Sequence, residues 1–122
     1  MLARTLLLLS AGLLGCDALD AVTHDVTAPS VAITGITNGE TIIENRTISV
    51  SASDLDSDLI EFTIFLDGSQ IFTTNPNAKS ATQGLTLLGG RDAAGPHVLT
   101  VRAVDKAANS RELGLAYTVF AP

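Results

Sequence analysis

From residue 30 onward apolar and polar side chains alternate with a period of two, and no stretch beyond residue 15 repeats at helical spacing. Alternation places one row of side chains on each face of an extended strand, so the pattern predicts strands with one buried and one wet face. Residues 31–34 form a short first strand, and Asn38-Gly39 marks a turn before a second at 41–43. Residues 47–52 set Ile48, Val50 and Ala52 against Thr47, Ser49 and Ser51. In 60–66, Ile60, Phe62, Ile64 and Leu66 point inward while Glu61, Thr63 and Phe65 point outward. Asp67-Gly68, two residues that tolerate positive φ, closes a hairpin with 70–74, which Asn75-Pro76-Asn77 ends. A strand at 83–88 follows, and Gly89-Gly90 and Gly95-Pro96 bracket a loop. Strands at 97–104 and 113–120 complete the set, with Leu99, Val101 and Ala103 facing Leu115, Tyr117 and Val119 in the core. Seven to eight short antiparallel strands with turns between them predict an all-β sandwich or barrel.

The first fifteen residues follow another rule. Arg4 supplies a positive start, and residues 6–14 are apolar apart from Ser10, Ala11 and Gly12. As a helix, residues 5–15 cover only about 16 Å, against roughly 30 Å of hydrocarbon, so the stretch fits a secretory signal rather than a permanent span. Leu13-Leu14-Gly15-Cys16 resembles the lipobox of bacterial lipoproteins. The resemblance implies cleavage before Cys16, a diacylglycerol on its thiol and an N-acyl chain on the new amino terminus. Two or more chains anchor stably where one does not. Asp17 resembles the residue that keeps enteric lipoproteins in the inner membrane. The expected place is therefore the bacterial cell envelope, on a membrane face or at the cell surface.

Setting that leader aside changes how the composition reads. Fifteen residues taken from 122 leave 107, room for one domain. Thirteen acidic residues then stand against six basic ones, a balance unsuited to nucleic-acid phosphates. Cys16 is the single cysteine, which excludes an intrachain disulfide and a cysteine-built zinc site. Residues 16–29 carry Asp17, Asp20, His24, Asp25 and Pro29 with few bulky apolar groups, and read as a tether reaching at most roughly 45 Å. The sandwich itself spans 30–121.

Residues 29–119 resemble the immunoglobulin-like modules of bacterial secreted and surface proteins. Four stretches carry the resemblance: Thr27-Ala28-Pro29 with Val31-Ala32-Ile33-Thr34, Asn38-Gly39, Ser51-Ala52-Ser53-Asp54, and Phe62-Thr63-Ile64-Phe65-Leu66-Asp67-Gly68. The long run from Gly95-Pro96-His97 through Asp105-Lys106-Ala107-Ala108-Asn109 completes it. Ala108 departs from the pattern, which usually has Gly there. The resemblance implies an immunoglobulin-like β-sandwich and no single activity.

Candidate chemistry is sparse. Asp54, Asp56 and Asp58 alternate in one loop, which a sandwich places at the same end as Asp105, so four carboxylates are expected to share an apex that Ca²⁺ can neutralise. The loop is no EF-hand, because Leu59 holds the sixth position and Phe65 the twelfth. The competing reading has Asp54 and Asp105 bonding backbone amides within their own turns. His97 is expected to lock a corner by bonding upstream backbone, the role related sandwiches give that position, and Tyr117 to sit in the core with its hydroxyl at the rim. Ser110 has no nucleophile motif, and Glu61 and Asp67 occupy a mid-strand and a turn position unsuited to a carboxylate pair. Phe65 and Val98 are expected outward, with Phe72 joining Phe65 across the hairpin. Asn45-Arg46-Thr47 matches a glycosylation sequon that a bacterial lipoprotein rarely uses. The sequence thus reads as a non-catalytic, lipid-anchored module that binds an envelope protein or glycan, with calcium-dependent binding as the alternative.

Overall fold

Eight strands form where the alternation runs, in a computed structural model that describes residues 26–122. The leader, Cys16 and most of the tether lie outside the described residues. The strands are β1 (Ser30–Thr34), β2 (Glu40–Ile42), β3 (Arg46–Ser53), β4 (Leu59–Leu66), β5 (Ser69–Thr74), β6 (Ser80–Leu87), β7 (Gly95–Asp105) and β8 (Ser110–Val119). A single 3₁₀ turn, Arg91–Ala93, interrupts the loop between β6 and β7. Two sheets face each other, one ordered β1-β3-β6 and the other β2-β8-β7-β4-β5. All pairings are antiparallel except β2 with β8, which is parallel because the chain crosses between sheets after β1 and returns beside the last strand.

The inward rows close the core. Ile48, Val50 and Ala52 of β3 and Leu87 of β6 meet Phe62 and Ile64 of β4, Leu99, Val101 and Ala103 of β7, and Leu115, Tyr117 and Val119 of β8. Each fully buried branched side chain contributes roughly 1.5–3 kcal/mol, enough for a domain of this size to fold without a staple.

Two expectations on the β4–β5 hairpin are corrected. A register shift between Leu59 and Glu61 turns Leu59 into the core, fully buried, and leaves Ile60 39% exposed. A second shift lies between Ile64 and Phe65, where Ile71 becomes the extra residue opposite them. Phe72 is thereby carried to the inner face beside Ile64, and it meets Phe62 edge to face at 6.1 Å rather than joining Phe65. Phe65 remains on the outer face beneath the Arg102 guanidinium, 5.2 Å from its ring centre. Thr63 also keeps its outward position but is buried there between its cross-strand neighbours Arg102 and Thr73, bonding the Thr73 hydroxyl at 2.8 Å.

The topology defines two poles. At the entry pole the chain joins the sandwich through Ser30, which pairs with Ser53, and here too lie residues 54–58 and the β7–β8 turn. At the distal pole lie the Asp67-Gly68 turn, residues 88–94 and His97. His97 and Asp105 lie eight residue steps apart along β7, about 26 Å of strand.

Candidate functional site

The entry pole gathers the acidic residues picked out from the sequence but does not aim them at one point. Asp54 is buried, and its Oδ1 accepts the backbone N–H groups of Asp56 and Ser57, both at 2.9 Å. Asp105 is fully buried, and its Oδ1 accepts the N–H groups of Ala107 and Asn109, both at 2.9 Å. A short side chain that bonds its own turn replaces the missing ladder partners of a strand end, which is why aspartate sits at both positions. Asp58 faces Lys79 at 3.4 Å in an exposed pair, and the Asp58 carbonyl accepts the Lys106 N–H, tying the two turns together. Among the described residues no three His, Cys, Asp or Glu side chains converge as a metal site would require. Asp54, Asp56, Asp58 and Asp105 thus share a pole as expected, but backbone amides orient the Oδ1 atoms of Asp54 and Asp105 toward their own turns. One oxygen stands apart, since the buried Oδ2 of Asp54 bonds nothing among the described residues.

The distal pole is built by a long-range pair that sequence reasoning missed. Asp67 occupies the β4–β5 turn at φ 52°, followed by Gly68 at φ 85°, as a two-residue turn of this hand requires. There its Oδ1 accepts the Val98 N–H at 2.8 Å and its Oδ2 meets His97 Nδ1 at 2.7 Å. The other ring nitrogen, Nε2, donates to the Ala93 carbonyl at 2.6 Å, so His97 does bond upstream backbone as expected of a corner residue. The imidazole stacks on Tyr117, centres 5.2 Å apart and planes 25° from parallel. The Ala93 carbonyl, and then the Asp67 carboxylate, hold the His97 pKa above its ordinary value. His97, and then the Val98 amide, hold that of Asp67 below the carboxylate range. Burial, with the Asp67 charge beside it, pushes the Tyr117 phenol up.

Beside this pair a hollow of about 400 Å³ opens between the sheets, lined by Leu66, Ile71, Leu88, Ala93, His97 and Tyr117 with Thr86 and Asp92. Ile71 and Leu88 reach it from exposed positions, at 44% and 64%. Ser110 starts β8 at the opposite pole, seven residues or about 23 Å of strand from the Tyr117 that stacks on His97. Glu61 binds Arg102 on the outer face of the sheet and does not meet Asp67. The sequon residue Asn45 uses its Oδ1 to accept the Gly89 N–H at 2.8 Å.

No family model matches the chain, and no curated protein does. Solved structures do. The fibronectin(III)-like modules of Clostridium thermocellum CbhA are similar with a TM-score of 0.51 and 18% identity, over 75% of this chain and 98% of the module. Dimeric latent PorU from Porphyromonas gingivalis is similar with a TM-score of 0.62 and 17% identity, over 93% of this chain but 12% of PorU. At these identities the likeness shows the fold alone: an immunoglobulin-like β-sandwich.

Proposed function

We propose that the chain is a lipid-anchored, non-catalytic immunoglobulin-like module of a bacterial cell envelope, held to the membrane through Cys16 and presenting its distal pole to an envelope protein or glycan. The observation that carries this reading is the direction in which β1 runs. The chain enters at Ser30 beside Ser53, so a tether of residues 16–29 approaches the entry pole and leaves the distal pole farthest from the bilayer. The open hollow with Ile71 and Leu88 then lies on the far side, where a partner arrives.

Metabolic labelling with palmitate tests the anchor. The wild-type chain takes up label and is cleaved, while Cys16→Ser takes up none and accumulates as the precursor. Labelling that persists in Cys16→Ser defeats the reading.

Calcium-dependent binding of a glycan or protein is the second reading, and the buried Oδ2 of Asp54 is the observation in its favour. Against it stands the lack of three converging ligands among the described residues. Thermal melts with millimolar Ca²⁺ and with EDTA separate the two. Equal midpoints remove the calcium reading, whereas a rise that saturates with Ca²⁺ and disappears in Asp54→Ala replaces the first.

A further inference from the structure

The bonding of His97 fixes its charge. Asp67 Oδ2 is a carboxylate oxygen and Ala93 O a carbonyl oxygen, so neither has a proton to give. Both ring nitrogens sit within 2.7 Å of these acceptors, and each must therefore donate. A neutral imidazole has one N–H and would set a lone pair against an oxygen at the other contact. Only the imidazolium satisfies both.

We infer that doubly protonated His97 is a bolt that ties the 3₁₀ turn Arg91–Ala93 to the β4–β5 hairpin along one wall of the distal hollow, and that deprotonation withdraws it. Beyond the packing of Ala93 against the core edge, the turn has little else to hold it. It buries none of its residues completely, and its own hydrogen bonds, Ala93 N–H to Gly90 O and Ala94 N–H to Arg91 O, are long at 3.2 and 3.3 Å. Segments with few buried contacts and weak backbone bonds open first. Once His97 is neutral, one of its two contacts becomes repulsive. Ala93 and Asp92, which line the hollow, then move away from Leu66 and Tyr117.

The charged and titratable groups around the ring agree with this assignment. Asp67 faces it from the β4–β5 turn, Tyr117 stacks on it from β8, and Arg91 and Asp92 belong to the turn it holds. Asp67 is ionised throughout the neutral range, which favours the cation. Raising the pH acts on His97 first, because the Tyr117 phenol is held above its ordinary value.

The test is an NMR titration of the full-length chain, with His24→Gln assigning the second histidine. Near neutral pH both ring nitrogens of His97 are expected at the protonated shift, with a midpoint above that of free histidine. Asp67→Asn, which keeps an acceptor but removes the charge, lowers that midpoint. Amide exchange reads the bolt itself. Protection factors at Ala93 and Ala94 fall as pH passes the midpoint, while those of Ala107 and Asn109 at the entry pole hold. In His97→Gln the fall disappears. A midpoint at or below that of free histidine, an unmoved midpoint in Asp67→Asn, or protection at Ala93 and Ala94 that tracks Ala107 and Asn109 overturns the inference.

Discussion

The two poles of the sandwich are both secured by aspartate, in opposite ways. At the entry pole Asp54 and Asp105 fold back on amides two to four residues ahead, so each turn carries its own fastening. At the distal pole Asp67 reaches His97, thirty residues away, and the pair joins three separate pieces of chain. The local arrangement is buried and acts through fixed backbone dipoles. The long-range one is partly exposed and rests on a charge that pH can remove. The larger loss on substitution is therefore expected at the first pole, and the pH-dependent one at the second.

The largest expected effect breaks the entry pole. Asp105→Ala strips two N–H groups of a fully buried acceptor and leaves a void, at a cost of about 3 kcal/mol. Urea denaturation reads it as a lower midpoint with an unchanged slope. A loss below about 1 kcal/mol would show that water takes over those amides and that the pole is not held by Asp105.

The next blow falls on the distal pole through its backbone. A Cβ at Gly89 would lie 2.5 Å from the Glu44 carbonyl carbon and 2.6 Å from its Cα. Gly89→Ala must therefore push two backbones apart, costing about 2 kcal/mol and breaking the Asn45–Gly89 bond. A melt unchanged from wild type would mean that this pole yields freely.

His97→Phe keeps the stack on Tyr117 but loses both hydrogen bonds, with an expected cost of about 1 kcal/mol at neutral pH, less than Asp105→Ala because the pair is partly solvated. The pH dependence sharpens the contrast. His97 titrates above its unfolded value, so its stabilisation is complete below about pH 6.5 and fades as pH climbs through the raised value. Asp67 titrates below its unfolded value of 3.8, so its share persists above that and is lost as pH falls through the depressed value. Urea midpoints of wild type should thus decline on the alkaline side, and those of His97→Phe should stay level there. Parallel declines would assign the pH dependence to other groups.

How far each pole was legible in the sequence follows from the same contrast. A period of two and paired turn residues announced β3, β7, β8 and the Asp67-Gly68 hairpin, because each depends on neighbours a few positions away. The aspartate turns at 54 and 105 were readable for the same reason. His97 was readable only as a corner residue: that it bonds upstream backbone was visible, that it meets Asp67 was not, since a contact across thirty residues leaves no local trace. The exposed Ile60 and the inward Phe72 were missed because a single extra residue in β4 or β5 reverses every face beyond it. The distal hollow was missed too, being formed by strands of both sheets and a 3₁₀ turn with no periodic signal.

The smallest expected effect is a gain, and it lies at the entry pole. Ala108 sits at φ 71°, a left-handed conformation in which its Cβ crowds the backbone, while its N–H bonds the Asp105 carbonyl at 3.0 Å. The turn therefore keeps the shape that suits glycine although the residue has changed, held there by Asp105 bonding both Ala107 and Asn109. Ala108→Gly removes the steric cost, roughly 1–2 kcal/mol, and adds unfolded-state freedom that offsets part of it, for a net gain of about 0.5–1 kcal/mol. A thermal melt reads this as a higher midpoint. Combining it with Asp105→Ala separates cause from coincidence: if Asp105 imposes the strained φ, the gain shrinks once Asp105 is gone, because the turn is then free to relax. A gain of equal size in both backgrounds would place the strain in the strands flanking the turn.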